Sequence, residues 1–262
     1  MSAVNSSVID VGSGLVAVLV ALAGLAAVGG KLSGLGQHYS VVVAAVRAAL
    51  QLAVVSAVLA VVIGSLWLSG MFVLLMVVVA AITSAGRVTG ASLRQLGLLH
   101  RVVTAGTPIV VGALPVVLVV LASGAVPLRG EAVIPIAGIL IGGAMTATSL
   151  AGRRLREELE SRHGEVEAAL ALGLVTRDAV LEIARPVAGT ALMPALDQTR
   201  TVGLVTLPGA FVGVLLGGGS PLQAGAAQLL VLVGLLAAEV TAVWMVTELV
   251  ARGQMARHGA RR

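Results

Sequence analysis

Long apolar runs recur along this chain, and no other feature constrains its fold as strongly. The first covers roughly Val8–Val28. Others cover about Tyr39–Ile63, Gly70–Ala85, Val103–Leu121, Val133–Ala151, Val187–Leu216 and Ala224–Val250. A helix of about 18 or more apolar residues is long enough to cross the hydrocarbon of a bilayer. In lipid every backbone N–H and C=O needs an internal partner, which a helix supplies within its own segment. The expected fold is therefore all-α: a polytopic membrane protein with about seven transmembrane helices.

Composition agrees. The chain has 262 residues, 58% hydrophobic and only 11% charged, whereas soluble domains carry about a quarter charged residues. No stretch is long and polar enough for a separate soluble domain, so residues 1–262 are expected to form one transmembrane domain. Cysteine is absent, which excludes disulfides and thiolate metal sites. Aromatics are only 2%, while glycine occurs 33 times. Small residues let membrane helices approach closely. Pro108 and Pro115 are expected to bend the fourth span.

The net charge of +5 does not point to nucleic acid, because the basic residues are spread over the segments between spans. They occupy the Gly29–His38 and Gly86–His100 loops, a charged helix from Arg153 to His163, and a tail with Arg252, Arg257, Arg261 and Arg262. With the N-terminus outside and the C-terminus cytoplasmic, every Lys and Arg except Arg129 falls in an inner segment or the inner half of a span. Such asymmetry sets membrane orientation. The opening MSAVNSSVID lacks the basic start of a signal peptide.

The longest departure from the apolar pattern is Glu165–Pro186, EVEAALALGLVTRDAVLEIARP. Ala168, Ala169 and Ala171 leave a low-relief helix face that a partner can approach. Gly173 permits a turn without steric cost. Thr176 is the expected N-cap of a helix over Arg177–Ala184, and Pro186 is expected at a helix start. Glu167-Ala168-Ala169, Gly173, Ile183 and Pro186 keep the order E-A-A-x3-G-x9-I-x-L-P, with Arg185 in place of Leu. This order resembles the EAA loop of ABC-transporter permeases. The resemblance implies that about 153–186 is a cytoplasmic coupling segment docking on a separate ATPase. An ordinary amphipathic loop helix is the competing reading.

More of the chain resembles one group, the FetB/YbbM family of ABC permeases, which includes bacterial proteins assigned to iron export and plant aluminium-tolerance permeases. The matching landmarks are RAALQL at Arg47–Leu52, GILIGGAM at Gly138–Met145 with Ser149-Leu150, VGLVTLPG at Val202–Gly209, GGGSP at Gly217–Pro221, and Gln228. The resemblance implies a permease subunit in the cell inner membrane, working as a homodimer with two copies of a cytoplasmic ATPase. ATP would be used by that partner, with no cofactor bound by this chain. The implied cargo is an exported metal ion such as iron. This chain departs from the family at Gly143 and Thr146, where Asn is usual, and at Ala210–Val214, where MMTGQ is usual. Those departures weaken iron as cargo, not the architecture.

Few polar residues fall within the spans. Glu239 sits mid-way along the last one. An intramembrane carboxylate is costly and marks a pathway or a structural contact. Arg47 and Gln51 lie one turn apart on the second span. Arg47 can snorkel to the interface or join Gln51 in a polar contact. Asp197, Gln198 and Arg200 lie near mid-membrane if the sixth span starts at Val187, and at the inner mouth if it starts near Thr201. Asp197 and Arg200 can pair at i,i+3. Glu239, Asp197 and Gln51 are the candidate cation contacts, with Arg47 and Arg200 as partners of the acids. Gly-x-Leu-x-Gly-Gly occurs at Gly138–Gly143 and Gly213–Gly218, by coincidence or as a repeat remnant. Gly30-Lys31 is followed by Leu32, so there is no P-loop. His38, His100, His163 and His258 are scattered. The competing function is an ATPase-independent ion transporter or channel using Glu239 or Asp197. An intramembrane enzyme is disfavoured, because the three aspartates form no dyad in the spans.

Overall fold

A computed structural model describes residues 12–89 and 98–255. Among them are ten α-helices and one 3-10 turn. Seven helical stretches are long and apolar enough to cross a membrane. The chain is a polytopic, all-α membrane protein, as its apolar runs require.

It divides into two compact units after Val61. The first is built from α1 (Ser13–Leu32) and α2 (His38–Val62), neither of which buries a residue. Helix α1 starts and ends later than the expected Val8–Val28. Residues 8–11 of that run lie outside the described residues.

In the second unit α3 (Leu66–Thr89), α4 (Leu98–Ala122), α5 (Gly130–Ser161) and α10 (Pro221–Ala251) form the core. Helix α10 packs on α4 and α5, and α3 covers the same two. The contacts are made largely by small side chains, among them Ala113, Ala137, Ala144, Ala238 and Ala242, around Ile109 and Leu140. Gly112 on α4 shows why. A Cβ there would lie 2.4 Å from the Ala238 carbonyl oxygen and 3.2 Å from the Ala242 amide nitrogen. Close backbone approach replaces the hydrophobic driving force that lipid removes. Pro108 and Pro115 both lie inside an unbroken α4.

The expected break between the fifth span and the charged helix is absent. Helix α5 continues for 32 residues, from Gly130 to Ser161. Gly152 is no breaker here, because it lies against the Val88 side chain of α3. One turn on, Arg156 Nη1 donates to the Val88 carbonyl at 2.6 Å. Helix α3 likewise runs past the expected Ala85 to Thr89. Arg94, in the centre of the expected basic loop, lies outside the described residues, as do His258, Arg257, Arg261 and Arg262.

The EAA-like segment forms α6 (His163–Ala171) and α7 (Thr176–Gly189). Thr176 is not the N-cap. It is the first helical residue, after an extended Val175 that makes no side-chain cap bond. Pro186 is not at a helix start either, but inside α7. Its ring lies on the exposed face. Helix α7 outruns the expected Ala184 because Ala179, Leu181, Ile183, Ala184 and Ala188 form one buried stripe.

The sixth apolar region is not one helix over Val187–Leu216. From α7 the chain tightens into a 3-10 turn at Thr190–Leu192 and continues as α8 (Met193–Thr201). The run long and apolar enough to cross is Thr176–Thr201, which starts at neither Val187 nor Thr201. An irregular stretch over 202–208 precedes α9 (Gly209–Leu216). Helix α10 then opens with a capping box, Ser220 with Gln223, and Pro221 in its first turn.

Candidate functional site

The segment between α5 and α7 is built for exposure. Helix α6 buries no residue and packs mainly on α7. It ends at a Schellman motif: the Gly173 N–H reaches the Leu170 carbonyl and the Leu174 N–H reaches that of Ala169. The motif places Gly173 at φ +92°, a conformation suited to glycine. At its start, Arg162 Nε donates to Glu165 Oε1 at 2.7 Å, and Arg162 Nη1 pairs with Glu158 at 3.5 Å. Arg162 holds the Glu165 carboxyl below the usual carboxylate range.

Of the sequence candidates here, Glu167, Ala168, Gly173 and Pro186 are exposed and Ala169 is half-buried. Glu167 lies 3.7 Å from His163 Nε2. Ile183 is instead buried at 4% exposure. The motif thus mixes a surface part with an anchoring part. Around the turn the exposed face is apolar, with Leu172 83% and Val175 63% exposed, beside Leu170. A solvated loop helix has no need of such a patch.

Sequence reading missed the group that ties this segment to the core. Arg177, in the first turn of α7, forks onto Glu248 in the last turn of α10. Nε donates to Oε1 at 2.7 Å and Nη2 to Oε2 at 2.8 Å. Arg252 Nε also donates to Oε1, at 2.6 Å, and Asp178 pairs with Arg177 at 3.0 Å. A bidentate guanidinium–carboxylate pair fixes direction as well as distance. The far end of α7 is tied elsewhere: Arg154 of α5 donates to Thr190 Oγ1. The partners Arg177 and Glu248 are 71 residues apart, so spacing could not reveal them. The one available signal was Glu248 and Arg252 at i,i+4 at the end of an apolar span.

Deeper in the same unit, Glu239 on α10 is only 8% exposed. No hydrogen bond or ion pair to it occurs among the described residues. It lies beside Gly143 of α5, where a Cβ would fall 2.8 Å from Glu239 Oε1. Among the described residues the buried Thr148 hydroxyl, also on α5, has no hydrogen-bond partner. Nearer the start of α10, Gln228 Oε1 accepts from the Phe211 N–H of α9 at 3.3 Å.

The remaining candidates stand on other elements. Asp197 and Arg200 pair with each other at 3.4 Å on α8, with side chains 63% and 66% exposed; Gln198 is exposed between them. Asp197 lies twenty residues past Arg177, or up to about 30 Å along a straight helix. Arg47 and Gln51 are exposed on α2, in the other unit. No group of three or more His, Cys, Asp or Glu able to hold a metal ion occurs among the described residues. A cavity of about 250 Å³ between α3, α4 and α5, lined by residues such as Val77, Ile109 and Ile141, includes none of these polar residues.

Residues 13–255 match an uncharacterised protein family, UPF0014. The chain belongs to that family. A UPF0014 membrane protein of Synechocystis, slr1647, is 32% identical over 81% of this chain and 82% of its own length. The probable iron export permease protein FetB of Escherichia coli is 35% identical over 47% and 48%. Protein ALUMINUM SENSITIVE 3 of Arabidopsis thaliana is 42% identical over 40% and 39%. The chain spans well under half the length of the plant relatives it matches. These relatives bear out the FetB-type resemblance. No solved structure matches the chain.

Proposed function

We propose that this UPF0014 protein is the membrane-spanning permease subunit of an ABC transporter. A separate cytoplasmic ATPase docks on α6 and the α6–α7 turn. The observation that carries the reading is the exposed apolar turn at Leu170, Leu172 and Val175, on a helix tied back to the core through Arg177 and Glu248. Exposed apolar surface calls for a partner, and a rigid tie lets that partner do work on the bundle. In this reading the N-terminus is outside, the C-terminus and α6 are cytoplasmic, and the membrane is the cell inner membrane. Two copies of the chain form the pathway, and the chain itself hydrolyses no ATP and binds no cofactor.

The cargo proposed is a metal ion moved outward, iron first, because one relative is named a probable iron export permease. Glu239 is the carboxylate placed to meet it. Asp197, Gln198, Arg200, Arg47 and Gln51 are further pathway candidates. Buried Glu239 also favours a second reading, an ion transporter that needs no ATPase. Reconstitution with an ATPase that co-purifies from the host, against a panel of cations, separates the two. The permease reading expects cargo-stimulated ATP hydrolysis and no transport without ATP. Transport that continues without nucleotide contradicts it.

A further inference from the structure

The geometry points to α7 as a two-ended strut that moves α10 against α5, with the Arg177–Glu248 pair as its tie to α10. The inference rests on the permease reading and adds how force leaves the docked segment. Helix α6 has no buried residue, so a push on it reaches the core through its packing on α7 and through its corner with α5, where Arg162 bonds Glu158 and Glu165. Helix α7 meets α5 and α10 through Ala179, Leu181, Ile183, Ala184 and Ala188. That packing holds α7 against both helices, and the polar ties at its ends fix which point of each helix it grips. Those ties sit at opposite ends and on different helices. Arg177 holds Glu248 of α10 by two parallel bonds, and Thr190 accepts from Arg154 of α5. A tilt of α7 therefore shifts α10 relative to α5. Their seam is where Glu239 and Leu235 lie against Gly143. Arg177 and Glu248 are thus positioning residues, acting through α10 and not on cargo.

The chain has no native cysteine, so Leu235→Cys supplies a single thiol in that seam. The full chain, reconstituted with its co-purifying ATPase, is labelled with a methanethiosulfonate reagent with and without ATP. The expected result is a nucleotide-dependent change in labelling rate. That change is lost in Arg177→Gln and in Glu248→Gln, and partly kept in Arg177→Lys, while ATPase binding stays at the parent level in all three. Retention of the change in both Gln variants overturns the strut and leaves the permease reading standing. Loss of ATPase binding in the Gln variants also overturns it, because the pair then shapes the docking surface. An unmutated chain that captures no ATPase sinks the permease reading and the strut with it. If Leu235→Cys does not fold, Val231→Cys, one turn earlier on α10, carries the same comparison.

Discussion

Gly143 of α5 faces Glu239 of α10 so closely that a Cβ at position 143 would sit 2.8 Å from the carboxylate oxygen and 2.1 Å from Leu235 Cδ1. A buried acid at the contact of α5 with α10 is thus housed by a missing side chain. Both obstructing atoms are tips of flexible side chains and can move. Gly143→Ala should therefore cost little stability but displace the carboxylate. Transport by the reconstituted protein should fall while thermal unfolding in detergent stays near that of the parent. Unchanged transport would show that the placement of Glu239 is irrelevant to the pathway.

Gly112 offers the contrasting case. Its obstructing atoms are the Ala238 carbonyl and the Ala242 amide of α10, which are backbone. Gly112→Ala must push α4 from α10, and over-packing of a tight core costs about 1–3 kcal/mol. A clear drop in thermal midpoint is expected. Gly142→Ala, with nothing within 4 Å, should show none.

Gly173 holds the α6–α7 turn at φ +92°. A side chain there meets open space, so its cost is conformational, about 1–2 kcal/mol for an L-residue in the left-handed region. Gly173→Ala should lower the thermal midpoint modestly and weaken ATPase capture. Capture at the parent level would mean that the turn geometry does not matter for docking.

The α5–α6 corner should be acid-sensitive. Arg162 hydrogen-bonds Glu165 and holds its carboxyl below the usual range. A depressed folded pKa stabilises above the ordinary carboxylate pKa, and that contribution is lost as pH falls through the depressed value. Both side chains are solvent-exposed, so the effect is small and weakened by salt. Amide exchange in α6, corrected for intrinsic rates, should rise on acidification in the parent and less so in Glu165→Gln. Equal responses in the two proteins would contradict the assignment.

The positions of six of the seven spans were legible because lipid imposes a length and an apolar composition on each; the sixth was not, because its helical run starts at Thr176, inside the charged stretch. Local terminators were read less well. Thr176 does open α7, one place inside the expected cap, but Pro186 only looks like a helix start in isolation, and the buried residues from Ala179 to Ala188 carry α7 past it. Arg153–His163 looked like a separate helix because its charge changes, but α5 runs as one helix from Gly130 through Arg153 to Ser161. The buried Glu239 stood out as an acid in an apolar run. Arg177–Glu248 did not, since neither residue is unusual beside its own neighbours and only the packing of α7 on α10 brings them together.

The central claim is that an ATP-hydrolysing protein grips α6 from inside the cell. Ala168 is exposed on that helix, and Ala168→Cys would give the chain its one thiol. Cross-linking it in living cells tests the claim most directly. The account predicts an adduct with an ATPase, and protection from a membrane-impermeant thiol reagent added outside. Adducts that never contain an ATPase, or ready labelling from the exterior, would contradict it.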